Sequence, residues 1–88
     1  MYNIFLSHSA NKMYNNLSEA DTRKINRSLT NIEKNPFYFP GKIARLKGNL
    51  EGKYRYKYGN WRIIYSVKKE EKEINIEAIC LRGNTPYS

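Results

Sequence analysis

Residues 53–67 read KYRYKYGNWRIIYSV, and this stretch predicts a β-hairpin. Two runs rich in aromatic and β-branched residues flank Gly59-Asn60, and a two-residue connection that contains Gly is typical of a tight turn between antiparallel strands. If these two residues form the turn, the pairing of the flanking strands follows from it. Lys57 then lies directly opposite Arg62.

The register of this hairpin sorts its side chains onto two faces, because opposed residues share a face and successive residues alternate. We expect the helices to cover the aromatic and aliphatic face, which consists of Tyr54, Tyr56, Tyr58, Trp61, Ile63, Tyr65 and Val67. The other face holds four cations on two adjacent strands and consists of Lys53, Arg55, Lys57, Arg62, Ile64 and Ser66. A register shifted by one residue would bury all of these cations, so we disfavour it.

Folding alone gives no reason for this cluster of cations. Like charges placed directly opposite each other, such as Lys57 and Arg62, destabilise a strand pair on a scale of ~0.2–1 kcal/mol. A bound polyanion would compensate, and the 16 Lys+Arg against 8 Asp+Glu give a formal net charge of +8 that attracts RNA, DNA or an acidic partner. The alternative is a solvated sheet face whose lysines limit aggregation.

Length and composition narrow the class of protein. The 88 residues predict a single domain spanning residues 1–88. No apolar run approaches the ~20 residues of a membrane-spanning helix, and the first residues lack the basic region of a secretory signal. A single cysteine, Cys80, cannot form an internal disulfide, so we expect a cytoplasmic protein. The carboxylates are scattered and no His/Cys/Asp spacing matches a ligand set, so we expect no metal or other cofactor.

The rest of the chain predicts a strand at residues 2–6, two helices, and further strands from residue 44 onward that end with residues 74–81. Apolar residues recur at helical spacing, namely Ala10, Met13, Tyr14 and Leu17 in the first helix and Thr22, Ile25, Leu29 and Ile32 in the second. Ser18 is a capping residue for the second helix, which ends at Asn35-Pro36. The order β-α-α-β-β-β predicts an α+β fold in which a helical hairpin packs on one face of an antiparallel sheet.

Residues 46–48, 52–57 and 59–67 resemble the signature of the RelE/ParE toxin superfamily, which is roughly L-K-G, Y-R-x-R/K and G-x-[YW]-R-[IV]-[IV]-Y. The helix that ends in Asn-Pro, the closing strand at residues 79–82 and Tyr87 are similar to that family as well, so the resemblance covers nearly the whole chain. It implies the RelE-like, microbial-ribonuclease-type fold, in agreement with the element order.

The resemblance implies two possible activities. RelE-like members are toxins that cleave mRNA in the ribosomal A site, whereas ParE-like members inhibit DNA gyrase. The catalytic positions of RelE-like members fall on Arg55, Lys57, Arg62, Arg82 and Tyr87, with a slightly irregular spacing before Tyr87. ParE-like members lack this full basic set, so we favour an mRNA endoribonuclease. A gyrase inhibitor and a non-catalytic nucleic-acid-binding module remain the alternatives.

The same resemblance implies the partners: a cognate antitoxin, the ribosome with mRNA in its A site, and operator DNA only through the antitoxin complex. We predict Lys47 and Lys53 to contribute to RNA binding. His8, the sole histidine, is close to the start of the first helix, and we interpret it as a surface residue.

RNA is cleaved when its 2′-hydroxyl attacks the adjacent phosphate and expels the 5′-oxygen, which requires a base, an acid and stabilisation of negative charge. Neighbouring cations favour the neutral amine of a lysine, so Lys57 is the candidate general base. The Arg62 guanidinium matches phosphate oxygens in a two-pronged way, and Arg55 adds positive charge. The resemblance assigns Arg82 to the leaving-group side, and Tyr87 to base stacking or proton transfer.

Three further predictions concern the last strand. Strict alternation from Ile74 places Arg82 on the core face, so the strand must end, bulge or twist before Arg82 for it to join the cations. We interpret Cys80 as a buried apolar residue. Glu77 lies on the polar face, where we expect a structural salt bridge with a cation of the cluster.

Overall fold

A computed structural model describes residues 1–84, in which two helices pack on one face of a five-stranded sheet. The elements in chain order are β1 (Asn3–Leu6), α1 (His8–Asn15), α2 (Glu19–Lys34), β2 (Ile43–Arg45), β3 (Lys53–Tyr58), β4 (Trp61–Lys68) and β5 (Glu73–Leu81). Single turns of 3₁₀ helix occupy Gly48–Leu50 and Arg82–Asn84. The strand order is β1-β5-β4-β3-β2. The predicted α+β class is therefore confirmed.

Two features of the sheet differ from the predicted one. A fifth strand, β2, pairs with β3, and its three residues are too few to show an alternating pattern in the sequence. β1 pairs with β5 in the parallel direction, so the sheet is mixed rather than antiparallel. Nothing local fixes that direction, since the partners of β1 lie about 70 residues away in the sequence and are not joined to it by a turn.

The predicted β3–β4 hairpin is confirmed residue by residue, from Tyr58 opposite Trp61 to Lys53 opposite Ser66. Gly59 has a φ of 56°, and Asn60 does not have a positive φ. A positive φ at the first central residue alone is typical of the II′ turn, for which Gly is the favoured residue. The turn chemistry thus fixes the register on which the two faces depend.

Both helices begin at a serine whose hydroxyl accepts a backbone hydrogen bond. Ser18 Oγ accepts from Asp21 N at 3.1 Å, as its sequence position predicted, and α2 ends at Lys34, before Asn35-Pro36. Ser7 Oγ accepts from Ala10 N at 3.1 Å at the start of α1. Neither helix within residues 1–84 is long and apolar enough to cross a membrane.

The core lies between the helices and one face of the sheet. It consists of Ala10, Ile25, Ile32, Tyr56, Ile63, Tyr65, Ile74, Ile76 and Ile79. Most residues of the two predicted apolar helix stripes face this core. Met13 is an exception, since it is 38% exposed. Ala10 is the only fully buried residue of α1. The predicted aromatic and aliphatic face of the hairpin is therefore the covered one.

Tyr65 brings a buried, hydrogen-bonded hydroxyl group into this core. Its side chain is fully buried, it stacks on Tyr54 with ring centroids 5.6 Å apart, and its hydroxyl donates to the Pro36 carbonyl oxygen at 2.6 Å. Burial, with a smaller contribution from Tyr54 and Tyr56, raises the pKa of the Tyr65 phenol well above its usual range. The hydrogen bond ties β4 to the segment that follows α2.

We expect Tyr65→Phe to lower the free energy of unfolding by about 1–2 kcal/mol at neutral pH, because it leaves the Pro36 carbonyl without its donor. In the unfolded chain a tyrosine ionises near pH ~10, whereas folded Tyr65 holds its proton to higher pH. The wild-type protein therefore loses stability as the pH rises above about 10, and the difference from the variant narrows. Urea unfolding across this pH range measures it, and a constant difference would contradict the assignment.

Candidate nucleic-acid interface

The face of the sheet opposite the helices, here called the open face, carries most of the predicted site. Its side chains include Phe5 on β1, Lys53, Arg55 and Lys57 on β3, Arg62, Ile64 and Ser66 on β4, and Asn75, Ala78 and Cys80 on β5. Within it, Lys57 lies opposite Arg62 and Arg55 lies opposite Ile64. The structure thus brings Arg55, Lys57 and Arg62 together on two adjacent strands, as predicted.

Arg62 does not extend freely into solvent. Its side chain is largely buried, with the residue 8% exposed, and its Nη1 donates to the Gly59 carbonyl at 2.7 Å and to the Trp61 carbonyl at 2.9 Å. Among residues 1–84, its Nε and Nη2 have no hydrogen-bond partner. The β3–β4 turn therefore holds the guanidinium in a fixed orientation and leaves two of its nitrogens to donate to a ligand.

Arg55 carries a donor that the described part of the chain does not satisfy. Its Nε is buried and has no hydrogen-bond partner within residues 1–84. A buried N–H without an acceptor costs about 1–3 kcal/mol, and Arg55 is flanked in the register by the apolar residues Ala44 and Ile64. An oxygen of a bound anion would remove this penalty.

Lys53 and Glu77 form an ion pair across the open face, with Nζ and Oε1 2.5 Å apart and each side chain 33% exposed. This confirms the salt bridge expected of Glu77. It also neutralises Lys53, so the excess positive charge of the face is concentrated at the other end of the hairpin, around Lys57 and Arg62. The RNA-binding role predicted for Lys53 remains a prediction.

A β-bulge in β5 resolves the predicted difficulty with Arg82. The register passes from Ile64 opposite Ala78 to Tyr65 opposite Ile76, which leaves Glu77 as the extra residue. Alternation therefore reverses beyond Glu77, and β5 ends at Leu81. The Arg82 backbone N donates to the Asn60 carbonyl at 2.7 Å. Arg82 thus lies beside the β3–β4 turn, at the same end of the sheet as the cations.

Ser7 holds this bulge in place, and sequence reasoning missed it. Its N donates to the Ile76 carbonyl at 2.9 Å, and its Oγ donates to the Glu77 carbonyl at 2.9 Å while accepting from Ala10 N. One serine therefore joins the end of β1, the start of α1 and the bulge of β5. The available signal was its position directly before the helical pattern, which is typical of an N-cap residue.

We expect Ser7→Ala and Ser18→Ala each to lower the free energy of unfolding by about 1 kcal/mol, because both remove an N-cap hydrogen bond. Ser18 has no contact with β5, so it is a matched control. Only Ser7→Ala should speed hydrogen exchange at residues 77–82, since only it releases the bulge. Equal exchange in the two variants would show that Ser7 does not hold the bulge.

Cys80 lies opposite Arg62 in the register and is 8% exposed, which confirms its interpretation as a buried small residue. Burial raises the pKa of the Cys80 thiol, and the charge of Arg62 partly offsets this. The thiol is thus held in its neutral form beside the site. It also lines a cavity of about 580 Å³ between α1 and the end of β5.

His8 and Lys47 do not lie on β3 or β4, the two strands that carry Arg55, Lys57 and Arg62. His8 is the exposed first residue of α1, as expected. Lys47 is exposed and lines a shallow groove with Arg45, Leu46, Gly48 and Glu51. Tyr87 lies outside the described residues, so its role remains a prediction. Within residues 1–84, no three His, Cys, Asp or Glu side chains are grouped so that they could hold a metal ion.

Solved structures similar to this chain are toxins and toxin–antitoxin complexes. A chain of the archaeal RelE–RelB complex from Pyrococcus horikoshii OT3 is 26% identical, with a TM-score of 0.77 over 96% of this chain and 98% of that one. The YoeB dimer from Staphylococcus aureus is 30% identical, with a TM-score of 0.72 over 91% and 94%. The isolated E. coli RelE toxin has a TM-score of 0.78 over 99% and 90%, and at 16% identity it supports the fold alone. No family model matches the chain, and no curated protein matches it significantly.

Proposed function

The chain belongs to the RelE/ParE toxin superfamily, and from this we propose that it is the toxin of a type II toxin–antitoxin system that cleaves mRNA in the ribosome. The observation that carries the proposal is the grouping of Arg55, Lys57 and Arg62 on the open face. Cations crowded on one face of a sheet destabilise the folded chain unless a polyanion binds there.

The proposed reaction begins when Lys57 removes the proton of a 2′-hydroxyl. The 2′-oxygen forms a bond to the adjacent phosphorus while the bond from phosphorus to the 5′-oxygen breaks, which leaves a 2′,3′-cyclic phosphate on one fragment. The 5′-oxygen accepts a proton and departs as a hydroxyl. We assign the acid side of this step to Arg82, whose backbone lies beside the β3–β4 turn.

The two other arginines stabilise the negative charge that grows on the phosphate. Arg62 is oriented by the Gly59 carbonyl, so it loses little freedom when it binds two phosphate oxygens. Arg55 supplies the buried Nε that has no acceptor within residues 1–84. A donor that is already desolvated needs little reorganisation when a phosphate oxygen reaches it.

A cognate antitoxin is the proposed protein partner. The similar solved structures include the RelE–RelB complex of Pyrococcus horikoshii and a YoeB–YefM complex of Staphylococcus aureus. A net charge of +8 favours an acidic segment in the partner. We propose that this segment covers the open face, which would block RNA and neutralise the cations together, and that operator DNA is contacted only through the resulting complex.

Cleavage of mRNA on translating ribosomes tests the proposal, with fragments mapped by primer extension. We expect cleavage in the A site and a 2′,3′-cyclic phosphate end, and no cleavage when the attacked nucleotide carries 2′-deoxyribose. A gyrase supercoiling assay runs beside it, because a solved structure similar to the chain is named a YoeB/ParE toxin from Agrobacterium tumefaciens. Gyrase inhibition without cleavage would replace the proposal with the ParE-like activity, and neither effect would favour a binding module.

A further inference from the structure

A row of side chains crosses the open face at the end away from Lys57 and Arg62. The register aligns Phe5 with Asn75, Asn75 with Ser66, and Ser66 with Lys53. Ile4 and Leu6, on either side of Phe5, pack against the core, so Phe5 points to the opposite side of the sheet. An aromatic ring, an amide, a hydroxyl and an ammonium group therefore lie in one line on the face that holds the cations.

Among residues 1–84, Phe5 is the aromatic residue of the strands that faces this side of the sheet, and it is 49% exposed. The other aromatic side chains of the sheet point to the helices, where Tyr54, Tyr56 and Tyr65 lie in or against the core. Burying Phe5 in the core would have stabilised the fold, whereas on this face it exposes an apolar ring to water. Its position therefore contributes little to folding and leaves a flat surface available to a ligand.

The distances fit an extended single strand. Neighbouring strands lie ~4.8 Å apart and each residue advances a strand by ~3.3 Å, so Phe5 is roughly 15 Å from Arg62 across β5 and along β4. That separation is more than one nucleotide and well within the reach of a short RNA segment. Glu77 lies between the two positions and is neutralised by Lys53, so the path between them is not closed to a polyanion.

We propose that Phe5 forms a stacking subsite for a nucleobase of single-stranded RNA, several nucleotides from the phosphate bound by Arg62. Aromatic side chains on a sheet bind bases in this way because every base has a flat π face. Asn75 lies next to Phe5 in the register and Ser66 lies one strand farther away, and both side chains can form hydrogen bonds with bases. The inference rests on the proposed function only in taking RNA to be the ligand of the open face.

The test is the affinity of the full chain for a short RNA that carries 2′-O-methyl at the cleavage position, measured by fluorescence anisotropy. Phe5→Ala should bind about ten-fold more weakly. Phe5→Trp should retain affinity, and its added emission should be quenched by the RNA. Tyr38→Ala is the matched control, since Tyr38 is 71% exposed in the loop between α2 and β2, and it should bind like the wild type.

A scan of RNAs with a single abasic position then locates the stacked base. At one position, the loss of the base should weaken wild-type binding but have no further effect on Phe5→Ala. The proposal would be overturned if Phe5→Ala and the wild type bound the RNA equally well, or if no abasic position affected only the wild type. Phe5 would then be interpreted as a contact for another protein. Coupled binding without cleavage on ribosomes would support the stacking subsite and refute the proposed nuclease, so the two failures are distinguishable.

Discussion

Arg62→Ala is expected to lower the rate of ribosome-dependent mRNA cleavage by about 10²–10³-fold, the usual loss when one preorganised donor to a developing oxyanion is removed. The guanidinium is held at the β3–β4 turn by the Gly59 and Trp61 carbonyls, so its Nε and Nη2 can donate without reorganisation. The measurement is the single-turnover rate on ribosomes stalled with a defined codon in the A site.

Two further variants test whether the effect of Arg62→Ala comes from the loss of any arginine or from the loss of positive charge. Arg27→Ala removes an exposed arginine from α2 and should leave the rate unchanged. Arg62→Lys keeps the charge but loses the planar fork, so it should recover only a small part of the rate. The Gly59 carbonyl is at an exposed turn, so we expect Arg62→Ala to fold, which its thermal unfolding checks. A folded Arg62→Ala that cleaves at a near-normal rate would remove Arg62 from the mechanism.

Lys57→Arg is expected to lower cleavage by about 10²–10⁴-fold, the range for a missing general base, although the positive charge is retained. A purely electrostatic role would predict the opposite, because an arginine stabilises phosphate charge at least as well as a lysine. The loss should therefore be as large in Lys57→Arg as in Lys57→Ala. RNA affinity, measured with the 2′-O-methyl substrate, should fall in Lys57→Ala and much less in Lys57→Arg.

A substrate with sulfur in place of the 5′-oxygen distinguishes the residue that acts as the base from the residue that acts as the acid. A thiolate departs without a proton, so this substrate should restore cleavage to Arg82→Ala, which lacks the group assigned to the leaving oxygen. It should not restore cleavage to Lys57→Arg, since removal of the 2′-hydroxyl proton is still required. If this substrate restored cleavage to Lys57→Arg, Lys57 would be assigned the role of the acid and Arg82 that of the base.

The sequence predicted the parts of the fold that depend on local chemistry. Gly59 sets the turn, the turn sets the register, and the register sets which side chains share the open face with Arg55. Ser18 and Asn35-Pro36 bounded α2 in the same way. Each of these features depends on interactions between residues that are close in the sequence.

What could not be predicted depends on residues far apart in the sequence. The parallel direction of β1 and the bulge at Glu77 arise where Ser7 meets β5, 70 residues along the chain. The sequence indicated only that some irregularity had to precede Arg82. The burial of Arg62, and the lack of a hydrogen-bond partner for the Arg55 Nε within residues 1–84, depend on how whole side chains fill the open face. Alternation assigns a residue to a face, but it does not give the residue's depth.

The place of β5 in the sheet has a consequence for when the fold is completed during synthesis. Among residues 1–84, β5 follows every other strand in the sequence, yet it lies between β1 and β4, so β1 has no partner strand until β5 has been synthesised. Pairing across so many residues is also slow compared with helix formation. We therefore expect the complete sheet to form late in folding, only after β5 has left the ribosome, and the proposed activity to appear no earlier than that.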